Sequence, residues 1–392
     1  MSRTQQARAR RNRRRRRIVA GFALTLLIAV VIAVVFLGSE LWHNFGSTND
    51  YAGDGKNDVL VEVHDGDSTT AIAQTLHDQE VIANVKTFLE AAQVNSAISS
   101  IQPGFYQLRT EIPAATAVTE LVEPNNRVGQ LVIPEGRQLD DVTDVKTNAV
   151  TDGIFTLISK ATCVELDGDR KCVAASDLRA AAGVKPLELL SIPEWASAPV
   201  TAMGDNHRRI EGLIAPGSWN VNPLESPQEI LSTLIGASSQ RYEESGLLDT
   251  AVSLSMSPYE VLIVASLVQR EAKPHDFAKV ARVIYNRLEE GRALQFDSTV
   301  NYPLDRQEVA TRDSDRRRRT PWNTYVAEGL PATPICSPGG QALTAAERPV
   351  PGDWLYFVTV DMQGTTLFTR DYDQHLTNIE LAKYNGVLDS AR

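Results

Sequence analysis

The chain has 392 residues, 43% of them hydrophobic and 22% charged, with a formal net charge of −10. Residues 1–17 carry nine arginines and no acid, so the rest holds 30 basic against 49 acidic side chains, a net of −19. This hydrophobic content excludes wholesale disorder, and so acidic a body excludes a general nucleic-acid binder, which needs a basic face. At ~100–200 residues per domain, the length predicts two or three domains.

Residues 18–37 (IVAGFALTLLIAVVIAVVFL) contain no charge. As a helix rising ~1.5 Å per residue they span ~30 Å, the thickness of a bilayer's hydrocarbon core. The run exceeds the ~7–15 residues of a signal-peptide core and leaves through residues 38–42 (GSELW) without a small-x-small cleavage site. It therefore reads as an uncleaved N-terminal transmembrane helix, with Trp42 at the far interface. Excess arginine before a span marks the cytoplasmic side. The expected location is the cell membrane, single-pass, with residues 1–17 as a cytoplasmic basic tail and an extracytoplasmic body. A nucleic-acid tail is the rival reading of the arginines at 13–17, but topology already accounts for them.

Residues 38–57, rich in Gly, Asn, Asp and Ser, read as a linker. Residues 58–63 (DVLVEV) have strand character. A turn at 65–67 leads into a helical period through Ile72, Leu76, Val81 and Ile82, a second helix carries Phe88 and Leu89, and residues 103–108 return as a strand. The expectation is a small β-α-α-β module over 58–128. Residues 130–134 (QLVIP) then open a larger mixed α+β domain, 129–392.

Residues 140–210 hold Cys163 and Cys172, an Ala-rich helix candidate near 174–182 and a loop at 191–199, with no legible role. The two cysteines flank a polar, Gly-containing segment, and in an oxidising outer compartment a disulfide closing this short hairpin is expected. Cys336 is left over and reads as a buried thiol. The six histidines lie at least thirteen residues apart and no CxxC exists, so no metal site is expected. Neither GxSxG nor GxxxxGK[ST] occurs, which removes the signatures of elbow-type serine hydrolases and P-loop NTPases. No cofactor is called for.

From residue 226 three helices are legible. Ser226-Pro227 and Ser257-Pro258 start the first two, with proline in the first turn and acids over the positive dipole end. Pro274 stops the second, and Asp276 is expected to cap the third, 277–290, which ends at Gly291. In the second helix Val264, Leu267 and Val268 precede Glu271 by seven, four and three residues, placing Glu271 on the apolar stripe. A carboxylate there is costly unless paired, protonated or useful. One reading is a general acid whose pKa desolvation raises. The other is a structural glutamate, paired with Arg282 or Arg287 or exposed at the helix end. Beyond it, residues 294–300 (LQFDSTV), including Gln295, Asp297 and Thr299, and the loop with Asn323 and Tyr325 gather amide, carboxylate, hydroxyl and aromatic groups of the kind that line carbohydrate sites. The arginines at 316–319 read as a solvated loop or as a contact for an anionic polymer.

The segment ASLVQRE ending in Glu271, followed by VARVIYNRLEEGRALQFDSTVNY (280–302), WNTY (322–325) and GLPATPICSPG (329–339), is similar to the endolytic murein transglycosylases, the MltG or YceG-like family. VIPEG (132–136), EGLIAP (211–216), WLYFV (354–358), Phe368-Thr369 and His375 extend the resemblance across nearly the whole chain from residue 18. The 58–128 module resembles the family's LysM-like domain, and 129–392 its catalytic domain with an embellished 140–210 segment.

The resemblance implies a membrane-anchored lytic transglycosylase. Such an enzyme cleaves the MurNAc-β-1,4-GlcNAc bond of nascent peptidoglycan, forming 1,6-anhydro-MurNAc and ending strand elongation. It implies Glu271 as the catalytic acid and penicillin-binding synthases as partners beside the glycan strand and the membrane. Gln295, Asp297, Thr299, Asn323 and Tyr325 are the expected substrate contacts. Ala215 and Gly217 depart from the family's bulkier aromatic and acid, which bears on substrate grip. Two alternatives stay open on the sequence alone: a non-catalytic peptidoglycan-binding scaffold, and a hydrolytic muramidase using Glu271 with Asp297 as second carboxylate.

Overall fold

The computed structural model describes residues 50–304, 306–307 and 311–387. The expected membrane span, basic tail and most of the linker lie outside them. Among the described residues no single helix is long and apolar enough to cross a membrane. The chain divides between Arg127 and Val128 into two compact units, and both mix helices with strands.

In the first unit, Asp58–Val63 pairs antiparallel with Gly104–Arg109, Asp58 opposite Arg109 and Val63 opposite Gly104. Helices Thr69–Asp78 and Val85–Val94 lie between them in sequence, capped by the side chains of Ser68 and Asn84, each cap contributing about 1 kcal/mol. Sequence periodicity misses a third helix, Ala114–Val122. Its Ala117, Val118 and Leu121 join Val61, Leu76, Phe88 and Leu108 in a separate core.

The second unit is built around the helix Pro258–Glu271. Every residue from Val261 to Val268 is buried, so the helix is apolar all round rather than along one stripe and passes through the middle of the core. Helices Gly340–Glu347 and Phe277–Glu289 pack against it. Capping boxes set its start, Ser257 with Glu260, and that of Pro227–Glu244, Ser226 with Glu229. Asp276 stands at the N-cap of Phe277–Glu289 but makes no side-chain cap bond. Its carboxylate lies instead 3.2 Å from His275.

Short antiparallel pairs line the helical core: Gln130–Ile133 with Gly217–Asn220, and Tyr356–Thr359 with Thr366–Thr369. Val142–Asp144 pairs antiparallel with Val150–Thr151 and parallel with Arg306–Gln307. Gly217 sits at φ +125°, where a side chain is strained, and a Cβ there would come within 3.3 Å of Arg241. The departure at 217 thus belongs to a strand start. The 140–210 segment is part of the main core through Phe155, Ile158, Leu178, Leu190 and Val200. The loop expected at 191–199 is in fact the start of a helix, Glu194–Ala202, which tolerates Pro199 within it. A disulfide joins Cys163 to Cys172 across the hairpin Val164–Leu166/Asp169–Lys171. Cys336 is fully buried, and desolvation pushes its thiol far above the reactive range.

Candidate active site

The central helix ends at Glu271, where Ala272 turns to extended backbone. Because the preceding turns are locked in the core, the glutamate is delivered at a fixed place, the wall shared by two pockets. The first, about 590 Å³, is charged, with Glu135, Arg137, Asp144 and Arg270 among its lining. The second, about 710 Å³, is aromatic, lined by Tyr325, Tyr356, Phe357, Tyr372 and His375 with Gln295. Both volumes fall in the ~300–1,000 Å³ range of small-molecule sites, and together they leave the cleft open on either side of Glu271.

Glu271 is half-buried at this wall. Desolvation pushes its carboxyl up to about 7, helped by the charge of Asp297 and opposed by Ser298 and Arg270. Position at a helix C-terminus, the negative end of the dipole, acts in the same upward direction. Neither arginine expected as a structural partner reaches it: Arg282 donates to the Val350 carbonyl, and Arg287 to those of Leu355 and Leu294. The Ser298 hydroxyl and backbone N–H face the Glu271 carboxyl and favour its anion.

Asp297 opens the short helix Asp297–Asn301. Burial pushes its carboxyl up, but hydrogen bonds from Arg316, Tyr325 and Thr311, with the charge of Arg316, outweigh this and leave it lowered. Oδ1 accepts from Thr311 and Tyr325, each at 2.7 Å, and Oδ2 from Arg316 at 3.1 Å, while Arg316 Nε lies 3.2 Å from Oδ1. This is the two-pronged grip of a guanidinium on a carboxylate. The Arg316 guanidinium also lies 5.1 Å from the Tyr325 ring centroid. Of the arginine run, 317–319 are exposed as a solvated loop would be, whereas Arg316 is half-buried in the site.

The expected contacts divide. Gln295, Asp297 and Tyr325 line the aromatic pocket beside Glu271, and Asp297 lines the charged pocket as well. Gln295 is exposed at φ +57°, its N–H tied to the Thr324 carbonyl at 3.0 Å. Thr299 and Asn323 do not reach either pocket. Thr299 is fully buried, its hydroxyl bonded to the Phe296 carbonyl at 2.7 Å and to the Thr324 hydroxyl at 2.9 Å. Asn323 is 2% exposed, and its amide donates to the Arg316 and Arg318 carbonyls at 3.0 and 2.6 Å. Polar type suggested ligand contact for both, but burial and saturated hydrogen bonding make them framework. Asn323 holds the loop that presents Arg316.

Sequence reasoning reached Ser298 only as part of the polar 294–300 stretch and missed the Tyr356–Tyr372–His375 wall, although WLYFV and His375 belong to segments that resemble the family. It also missed Glu211, 1% exposed, whose Oε2 accepts from Tyr302 at 2.8 Å and Leu139 N–H at 3.2 Å. Desolvation pushes this carboxyl up to about 8, against the opposing pull of those bonds. Glu211 lines neither pocket and ties the strand-end segment near Leu139 to the Tyr302 turn. Among the described residues no group of three or more His, Cys, Asp or Glu is placed to hold a metal ion.

The cleft thus holds two carboxyls whose surroundings drive them apart, Glu271 upward and Asp297 downward, a pattern that separates acid and base roles. Residues 61–381 match the YceG-like family, and the chain belongs to it. It is 28% identical over 327 residues to the endolytic murein transglycosylase of Bacillus subtilis (strain 168), covering 82% of this chain and 84% of that protein. It is 24% identical over 333 residues to the endolytic murein transglycosylase of Streptococcus pneumoniae serotype 2, covering 82% of this chain and 58% of that one. A solved yceG-like protein of Listeria monocytogenes is 25% identical with a TM-score of 0.48, covering 82% of this chain and 99% of that one.

Proposed function

We propose that this chain is a lytic transglycosylase that cleaves peptidoglycan strands internally, with Glu271 as its single acid and base. The observation that carries the reading is the Glu271 carboxyl, raised to about 7 by desolvation at the junction of two pockets. An acid of that pKa is protonated in a large fraction at neutral pH and loses its proton readily. It donates its proton to the glycosidic oxygen as the bond to the muramic acid C1 breaks. The carboxylate then takes the proton of the same sugar's C6 hydroxyl as that oxygen attacks C1. The product is a 1,6-anhydro ring, Glu271 is protonated again, and no water is consumed. An intramolecular nucleophile needs positioning rather than a second catalytic carboxylate.

A muramidase would use Asp297 as nucleophile or base. The oxygens of Asp297 are taken up by Thr311, Tyr325 and Arg316, which favours a fixed negative charge that tunes Glu271 and orients polar groups. The intact Glu271 and its pocket likewise favour the enzyme over a scaffold that only binds glycan. In this reading residues 18–37 anchor the chain in the cell membrane, with residues 1–17 cytoplasmic and the body outside. The LysM-like module holds nascent glycan, and penicillin-binding synthases of the wall-synthesis machinery are neighbours on the same strand. Mass spectrometry of products from uncrosslinked glycan strands tests the reaction: internal fragments ending in 1,6-anhydro-MurNAc are expected, and reducing ends would reject it.

A further inference from the structure

Three rings wall the second pocket without belonging to the hydrophobic core. Tyr356 stacks on His375 with centroids 5.0 Å apart and meets Tyr372 at 5.4 Å, and Tyr372 is 55% exposed. Tyr356 is fixed from its other sides. The Arg287 guanidinium lies 5.1 Å from its centroid, and Arg292 donates to its hydroxyl at 3.1 Å. Rigid, part-exposed aromatic faces next to a proton donor suit a sugar, whose C–H face is apolar while its edge is polar. The opposite pocket is lined by Glu135, Arg137, Asp144 and Arg270, charges of both signs, whereas the charges of the aromatic pocket are already engaged, Arg316 with Asp297 and Arg287 with the Leu355 and Leu294 carbonyls.

The two sugars flanking the scissile bond differ in the same way. Muramic acid carries a peptide stem with carboxylates and an amine or amide, whereas N-acetylglucosamine carries no charge. We propose that Tyr372, backed by the stacked Tyr356 and His375 rings, forms the stacking subsite for the N-acetylglucosamine side of the cleaved bond, with the peptide-bearing muramic acid in the charged pocket. The strand therefore threads past Glu271 in one direction, its reducing end toward the aromatic wall. This assignment rests on the reading of the chain as a lytic transglycosylase.

Binding of glycan strands of defined length to the full chain carrying Glu271→Gln tests it, since catalysis is then blocked. One added disaccharide at the reducing end is expected to tighten binding, and Tyr372→Ala to remove that gain, about tenfold for one lost stacking partner. Tyr372→Trp, which keeps a ring, is expected to retain it. A disaccharide added at the non-reducing end is expected to give a gain that Tyr372→Ala leaves intact. Equal loss at both ends, loss only at the non-reducing end, or no loss overturns the assignment. Cleavage by the chain with Glu271 intact is scored separately, so failure of the reaction is told apart from failure of the subsite.

Discussion

Asp297 lies close enough to Glu271 for its charge to push the glutamate's pKa upward, while Arg316, Tyr325 and Thr311 hold the aspartate's own pKa down. Two carboxyls in one cleft are thus driven apart, the pattern by which environment assigns acid and base roles to like groups. The separation comes from chemistry in the neighbouring loop: Asn323 fixes the backbone at 316–318, and that loop carries the guanidinium.

The first consequence is a pH profile. With Glu271 as the proposed acid, the reaction starts from its protonated form, and desolvation pushes that carboxyl up to about 7, so kcat/KM is expected to be highest below that pH and to fall through an alkaline limb centred there, tenfold per pH unit beyond it. Steady-state rates between pH 5 and 9 check this. A flat profile across pH 7 would contradict the assignment.

Asp297→Asn removes the neighbouring charge that raises Glu271. The alkaline limb is expected to move to lower pH, with turnover reduced but present and 1,6-anhydro ends retained. A nucleophilic or basic role for Asp297 predicts instead near-complete loss at every pH, on the order of the 10²–10⁴-fold that acid–base groups supply. Arg316→Lys is expected to restore little of what Arg316→Ala loses, because an ammonium cannot grip both carboxylate oxygens in a fork.

Thr299→Val and Asn323→Ala separate framework from contact. Each breaks buried hydrogen bonds, costing about 1–3 kcal/mol of stability, and the expected signature is a lowered unfolding midpoint. Gln295→Ala, at an exposed position on the pocket wall, is expected to leave the midpoint unchanged and raise KM. Thermal unfolding alongside Michaelis kinetics distinguishes the two patterns.

Glu211 offers a test without substrate. Its folded pKa, about 8, lies above the ordinary 4.5, so the folded state binds this proton more tightly than the unfolded chain. The stabilisation is fully present below about 4.5 and is lost as pH rises through about 8. Glu271 contributes in the same direction. Urea unfolding of Glu211→Gln is therefore expected to show a shallower decline of stability over this interval than the unaltered protein.

The sequence foretold helices where local signals agree with packing. Serine–proline starts and acidic first turns mark Pro227–Glu244 and Pro258–Glu271, and both carry full capping boxes. Ala114–Val122 escapes a local reading because Pro113 offers no side-chain cap, and Glu194–Ala202 because Pro199 lies inside it. Within the site, Glu271 is legible as an acid out of place, although the reason differs: the helix is buried on every side, and the glutamate stands where it ends. Asn323 and Thr299 mislead because polar type does not distinguish a group facing ligand from one saturated by backbone. Arg316 looks like part of a charge run because its carboxylate partner is nineteen residues away in sequence. The aromatic wall depends on the hairpin Tyr356–Thr359/Thr366–Thr369 meeting the helix Tyr372–Tyr384, a tertiary contact that no local pattern announces.

The most direct test of a single-carboxyl mechanism is to run the reaction in water enriched in ¹⁸O and weigh the new ends. Attack by the muramic acid's own C6 hydroxyl predicts products with no added label, and Glu271→Gln is expected to yield none of them. One ¹⁸O per cleaved bond would make water the nucleophile and contradict a mechanism in which Glu271 acts alone.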